Sequence, residues 1–478
     1  GGVGGGRGRG GPNQPHHSMT DGSREAEAGA RSYGKRASLL SIGVGATGLV
    51  TYLYFAIASH VLSRTEYGEI AILWSACFIT ISCLQRPIEQ LLSRSIAEHT
   101  AKGQSPRRPM RVAAEIQIAV AFAFVVLALI FRTPLQDNLL SGNATLYWIY
   151  VGSVTAYGAS YYARGYLAGS HRLPLYAGLI FSESVSRTLF ALLVAVGIAS
   201  GQSAVALGIL VAPCLSLIVV PFAFTRQGRA EAAAAAGPVD ESSESDFTLT
   251  HGGGFAAAVL LIMISEQTFL NAGPLLIHAS SGAALAGFVF NILMIARAPI
   301  QLFQAVQTSL LPHLTKLQSG GSEEEDDTFS ASIRVTIRAV AGFAALVTLA
   351  MLLAGPELMH IAFGKKFDYP RSDLVIVSIG MGIYLSAGTL NQAALAQGQV
   401  RRASACWIAC AGVFIVWCLL PVMNEVRRVE VGYLGGATLL CALLYLIYRR
   451  PAPRDEDSVE PGSPRELEVQ IASGDEAG

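Results

Sequence analysis

Charge is what this chain has least of. Asp, Glu, Lys and Arg make up 14% of its 478 residues, against about 25% in soluble domains. With 52% hydrophobic residues and a mean hydropathy of +0.45, that shortage excludes an ordinary soluble enzyme and puts most of the chain in lipid. The formal net charge is zero, which says nothing about partners; no nucleic-acid partner is expected. Paired Cys-x-x-Cys spacing is missing too. The seven cysteines (77, 83, 214, 406, 410, 418 and 441) all lie in apolar stretches and read as small buried hydrophobes. Cys406 and Cys410 share a helical face with no histidine nearby to complete a site, so no metal is expected. The phosphate-cradling pattern G-x-x-x-x-G-K-[ST] does not occur; Gly364-Lys365-Lys366 has neither its spacing nor its hydroxyl. The expectation is therefore a non-enzyme with no nucleotide site and no cofactor. No cleavable signal peptide is apparent, because the first apolar segment is long and lacks a small-residue cleavage site.

What the chain does have is a succession of windows of about 20 apolar residues, the length needed to cross the hydrocarbon core as a helix. Spans are expected at 37–61, 67–92, 111–132, 144–167, 173–198, 203–225, 252–278, 283–311, 332–354, 372–397, 402–422 and 430–449. Lys and Arg are enriched in cytoplasmic loops. An orientation with the N-terminus inside places Arg31, Lys35, Arg36, Lys102, Arg107, Arg108, Arg164, Arg172, Arg226, Arg229, Lys316, Arg401, Arg402, Arg449 and Arg450 on the cytoplasmic side. Lys365, Lys366, Arg427 and Arg428 are the exceptions, and a topological error is most to be expected around 355–372 or 423–430. The expected organisation is a disordered cytoplasmic tail over 1–36, beginning with a Gly-rich stretch before Met19, and then a six-helix bundle over 37–225. A cytoplasmic linker over 226–250, a second six-helix bundle over 251–449 and a disordered acidic cytoplasmic tail over 450–478 follow. The protein is expected to be multi-pass in the cell (plasma or inner) membrane, with both termini cytoplasmic and the lipid bilayer as partner.

The two halves share a pattern. R-P-I-E-Q-L-L-S from Arg86 aligns without a gap on R-A-P-I-Q-L-F-Q from Arg297, so that Gln90 meets Gln301 and Ser93 meets Gln304, with Pro87 and Pro299 just after each arginine. Four-then-three spacing puts each polar set on one helical face. A second pairing sets Y-L-A-G-S-H-R at 166–172 against A-L-A-Q-G-Q-V-R-R at 394–402. Both repeats start from the cytoplasm, so they are parallel repeats, and transporters of that design bind cargo between the halves.

Ionisable groups inside a membrane usually face the protein interior or a wet cavity, because a charge at the bilayer centre costs roughly 2.5–3.5 kcal/mol. Six stand out: Arg86, Glu89, Glu183, Arg187, Glu266 and Arg297. Arg86/Glu89 and Glu183/Arg187 are three and four residues apart and can neutralise each other within a helix. Helices 7 and 8 offer Glu266 and Arg297 no opposite charge within their own spans. Paired together they make a neutral cavity; with Arg297 facing Arg86, the two arginines make an anion site, since the guanidinium fork suits phosphate. Arg86, Gln90, Arg297, Gln301 and Gln304 are the candidate cavity residues. Glu89, Glu183, Arg187 and Glu266 are candidates for ion coupling or charge pairing. Pro87 and Pro299 each remove a backbone donor and are candidate gating kinks.

E-Y-G at 66–68, L-L-P-H-L-T-K-L at 310–317, F-G at 363–364 and A-L-A-Q-G-Q at 394–399 together resemble the oligosaccharide-lipid and polysaccharide flippases of the multidrug/oligosaccharidyl-lipid/polysaccharide (MOP) exporter superfamily, over roughly residues 37–449. The resemblance implies an all-α integral membrane protein of about twelve helices, in two pseudo-symmetric six-helix bundles around a central cavity, as in the multidrug-and-toxin-extrusion fold. It implies alternating access and a polyprenyl-diphosphate-linked oligosaccharide as cargo, moved from inner to outer leaflet for cell-surface polysaccharide biosynthesis. Other polysaccharide-assembly membrane proteins would then be partners, and Arg86 and Arg297 would be the cationic cavity groups. Two alternatives stand beside it. A cation-coupled multidrug antiporter shares the architecture, although helix 1 has no acid between 37 and 61 where many such antiporters carry one. A membrane-bound polysaccharide polymerase or ligase would need a large extracytoplasmic loop, and the outer loops here are short.

Overall fold

The computed structural model describes residues 1–2, 43, 45–101, 104–224, 249–297, 299–300 and 323–449. Most of the expected N-terminal tail, residues 225–248 of the linker region and the C-terminal tail lie outside them, as do Gln301, Gln304 and the 310–317 motif. Among the described residues every regular element is helical, with no strand. In chain order these are α1 (45–61), α2 (Arg64–Leu84), α3 (Arg86–Ala101), α4 (Arg107–Ile130), α5 (Ala144–Gly169), α6 (Leu173–Ala195) and α7 (Gly201–Ser216). The second half holds α8 (Leu249–Ser281), α9 (Ala283–Arg297), α10 (Glu323–Phe363), α11 (Arg371–Ala396), α12 (Val400–Leu419) and α13 (Glu425–Arg449). Each of the twelve expected spans overlaps at least one of these helices; residues 37–42, 44, 225, 298 and 301–311 of the first, sixth and eighth spans lie outside the described residues.

Three details differ from the sequence reading. The second span is not one helix: its ladder breaks at Gln85, one residue before Arg86, and α3 carries on to Ala101. Pro87 therefore sits in the first turn of a helix, where its missing N–H costs nothing. At 1.5 Å per residue α2 and α3 together measure about 55 Å, well beyond a hydrocarbon core of about 30 Å, so α3 extends past the bilayer. The ninth span continues as α10 through a kink at Ala354 (φ −132°, ψ 17°), two residues before Pro356, and no extra crossing lies between 355 and 372. The last two residues of the expected linker, Leu249 and Thr250, already belong to α8.

Nine helices among the described residues are long and apolar enough to cross a membrane. The outer faces carry what water would reject: Phe122, Ile130 and Ile361 are 71%, 67% and 76% exposed. Exposed apolar surface on that scale calls for lipid.

The helices pack in a pattern that repeats. In the first half α4 packs on α5, α5 on α6 and α7, and α6 on α7; in the second half α10 packs on α11, α11 on α12 and α13, and α12 on α13. The contact of α8 with α12 is matched by α1 against α6, where Thr51 meets Ser184 at 3.2 Å and Thr188 donates to the Val50 carbonyl at 3.1 Å. The turn pairing is matched atom for atom. After α5, His171 N–H donates to Ala168 and Arg172 N–H to Leu167; after α11, Gly398 N–H donates to Leu395 and Gln399 N–H to Ala394. Both are Schellman turns, with a left-handed residue at His171 (φ 54°) and at Gly398 (φ 74°).

Candidate functional site

The buried charges of the first half form one web across helices α3, α5 and α6. Glu183 on α6 is 4% exposed. Its closest cation is Arg164 on α5 at 2.6 Å, while Arg187, its neighbour one turn on, stands 3.9 Å away. Self-pairing of Glu183 with Arg187 is thus the lesser contact. Arg164, expected at the cytoplasmic face, is instead 8% exposed, lies over the Tyr161 ring at 4.3 Å and also faces Glu89. A guanidinium stays buried only where carboxylates and hydrogen-bond partners offset its desolvation, and here both are supplied. Glu89 accepts the Tyr176 hydroxyl at 3.0 Å. Arg187 donates to Tyr157, Thr51 and Ser184 at 3.0, 3.3 and 3.1 Å and lies over Trp74 at 4.5 Å.

Arg86 stands where α2 gives way to α3. It is in electrostatic reach of Tyr161 on α5, of Glu89 on its own helix and of Glu266 on α8. Glu266 is thus within electrostatic reach of the first half as well as of Tyr384 on α11, as neither arrangement drawn from the sequence has it. Next to it, Gln90 reaches Met263 of α8 with 3.1 Å between Nε2 and Sδ. The break itself is braced by Gln85, 1% exposed, which accepts from Gln117 Nε2 at 2.7 Å and donates to the Val154 carbonyl at 3.3 Å.

Arg297, at the end of α9, is different. It donates to the Leu270 carbonyl and, at 3.0 Å, to Asn271 Oδ1, and it lies over the Phe290 ring at 4.2 Å. Its Nε is buried without a hydrogen-bond partner. Among the described residues no carboxylate pairs with it; the groups acting on its charge are the phenols of Tyr67 from the first half and Tyr433 from α13. With Gly48, Thr51, Tyr52, Phe55, Trp74 and Met294 it lines a cavity of about 30 Å³ between the halves. That is room for a water or two, so any cargo must enter through a rearrangement.

The structure therefore puts Arg86, Glu89 and Glu266 together, joins Glu183 and Arg187 to the same web through Arg164, and holds Arg297 apart with aromatic and amide partners. Pro299 follows Arg297 as a helical residue. Arg164, Tyr161, Tyr67, Asn271 and Tyr433 are the participants that the sequence reading missed. A basic residue three places from the end of its expected span looks like a loop charge until Glu183 is seen beside it, Tyr67 entered only as a letter of E-Y-G, and an isolated Tyr or Asn gives no signal at all.

No protein-family model and no curated protein matches the chain. Solved structures do. A multidrug resistance MATE family transporter of the MOP superfamily in the inward-facing conformation aligns with TM-score 0.59 at 11% identity, covering 84% of this chain and 94% of that one. Such a transporter in the outward-facing conformation aligns with TM-score 0.53 at 14% identity, covering 87% and 95%. The MATE transporter VcmN of Vibrio cholerae aligns with TM-score 0.56 at 15% identity, covering 89% and 97%. Likeness of this extent at such low identity is a statement about architecture, and it establishes that the chain has the two-bundle helical fold of the MATE transporters.

Proposed function

We propose that this protein is a membrane transporter of the MOP superfamily working by alternating access, without a nucleotide site, and that its cargo is an anionic lipid-linked sugar moved between leaflets. The observation that carries the anionic cargo is Arg297. Among the described residues its guanidinium is buried with no carboxylate beside it, and it lines the cavity between the halves. A diphosphate supplies the charge-assisted, two-pronged hydrogen bonds that a guanidinium is built to make. Tyr52, Phe55 and Trp74 around the same cavity offer apolar faces suited to sugar rings. An inside-negative potential assists outward movement of about two negative charges by roughly 4–5 kcal/mol per 100 mV, at about 2.3 kcal/mol per charge. Loss of the protein should make one lipid-linked sugar accumulate in the membrane; lipid extracts identical with and without the protein would sink this cargo.

A second reading, a cation-coupled multidrug antiporter, is favoured by the MATE likeness and by a carboxylate, Glu266, at the contact between the halves. Drug susceptibility decides between them. Under this second reading, deletion sensitises cells to cationic drugs and leaves surface polysaccharide intact, the reverse of what the first requires.

A further inference from the structure

The end of the molecule where α1 finishes and α2 begins is held shut by a strap from the other half. The strap runs from the kink at Ala354 to Pro370, just ahead of α11. Besides Phe288 of α9, which stacks on Tyr369 at 5.4 Å, and Arg371, which faces Glu357 at 3.8 Å, it reaches the α1–α2 turn and its neighbours. Ser59 Oγ donates to the Phe363 carbonyl at 2.6 Å, and Tyr52 meets the Phe363 ring at 5.3 Å. Arg64 lies over Phe367 at 5.4 Å. Tyr67 donates to Asn291, whose amide nitrogen donates to the Tyr369 hydroxyl at 3.0 Å. Lys366 stands at the centre: its Nζ contacts the carbonyls of Ser59, His60 and Leu62 at 3.4, 2.9 and 2.5 Å. These are the terminal carbonyls of α1, the negative end of its dipole, which a cation satisfies. Glu66, which closes the capping box of α2 on Ser63, lies within electrostatic reach of the same ammonium.

Beneath the strap the two halves touch backbone to backbone. A Cβ on Gly68 would fall 1.8 Å from the Ala283 carbonyl oxygen, and one on Gly287 would fall 2.9 Å from Gly68 Cα. Contact that close exists only while both positions are glycine.

We propose that residues 355–370 form a latch over this mouth, with Lys366 capping α1 across the boundary between the halves, so that opening the mouth requires Lys366 to leave those carbonyls and the strap to swing about Ala354. Lys366, an exception to the positive-inside pattern, thus has a part that loop charge statistics do not describe. The proposal rests on the alternating-access reading, and its test is independent of any cargo.

In a version of the full chain lacking its seven cysteines, Met294→Cys places one thiol in the central cavity. Labelling by a membrane-impermeant maleimide applied from the strap side, in vesicles of defined orientation, reads whether the mouth is open. The expected result is slow labelling with Lys366 present, at least about fivefold faster labelling in Lys366→Met, as loss of a charged hydrogen-bonding group implies, and slow labelling again in Lys366→Arg. Gly68→Val, which wedges the contact without touching the latch, should also speed labelling. Equal rates for Lys366 and Lys366→Met overturn the latch whether or not Gly68→Val opens the mouth, and so does a Lys366→Arg variant that labels like Lys366→Met. If labelling follows the expected pattern while no cargo is moved by any form, the latch stands and the transporter reading falls.

Discussion

At the scale of single residues the buried arginines divide into two kinds. Arg164 is held by carboxylate, so its loss leaves charge unbalanced; Arg297 is held by an amide, a carbonyl and a ring, so its charge is left for something else. Arg297→Ala should abolish export while membrane abundance stays normal, and full export by that variant would remove Arg297 from the site. Arg297→Lys should fail as well, because an ammonium cannot make the paired contacts of a guanidinium. Glu183 makes a different prediction. It serves Arg164 at 2.6 Å and Arg187 at 3.9 Å, so Glu183→Gln takes the nearest carboxylate from both and leaves Arg164 with Glu89 alone, whereas Arg164→Met leaves Glu183 with Arg187. Breaking a buried pair costs about 3–5 kcal/mol. Thermal unfolding in detergent should therefore order the proteins as wild type above Arg164→Met above Glu183→Gln. The reverse order of the two variants would mean that Arg164, not Glu183, is the hub.

Whole helices show why short motifs carry information. In E-Y-G each letter has its own task. Glu66 accepts from Ser63 N–H at 2.9 Å in the capping box, Tyr67 bonds Asn291 across the halves, and Gly68 admits the Ala283 backbone. In F-G, Phe363 presents its carbonyl to Ser59 and Gly364 takes φ +83°, the turn that sends the strap back over α1. The pair Gly165 and Gly169, four apart on α5, lets α3 approach: a Cβ would fall 2.8 Å from the Glu89 carbonyl and 2.5 Å from that of Ser93. Gly165→Leu should push α3 away and with it Arg86 and Glu89. A clear drop in unfolding temperature, together with loss of export, is the expected outcome. An unchanged unfolding temperature would show that α3 tolerates the displacement.

For the whole molecule, the repeated neighbour pattern and the twin Schellman turns make the halves two copies of one design, each burying its own helices. Coexpression of residues 1–236 with 237–478 as separate chains should therefore restore export, measured for the proposed cargo as surface polysaccharide in cells lacking the intact protein. Failure of two stably inserted halves to restore it would show that the 226–250 segment does more than connect.

How much of this was legible beforehand follows the physics of each feature. Length and apolarity are properties of continuous segments, so every span could be placed from the sequence. The duplicated turn was legible because a Schellman turn needs a small or left-handed-tolerant residue at a fixed offset, and Gly398 supplies it. Partners across helices are another matter. Glu183 has a nearer residue in sequence, Arg187, than in space, Arg164, and helical periodicity ranks only the former. Lys366 and Arg428 looked misplaced by loop statistics, yet one caps α1 and the other, 8% exposed, donates to the Leu420 carbonyl at 2.8 Å. The sequence by itself thus determined an all-helical membrane chain, the place of its apolar spans and the rare charges among them, because those depend on residue type and spacing along the chain. Only the tertiary structure decided that Glu266 comes within electrostatic reach of Arg86, that Arg297 keeps no carboxylate among the described residues, and that one mouth is strapped shut, because charges buried in the membrane choose their partners by proximity across helices and not by order along the chain.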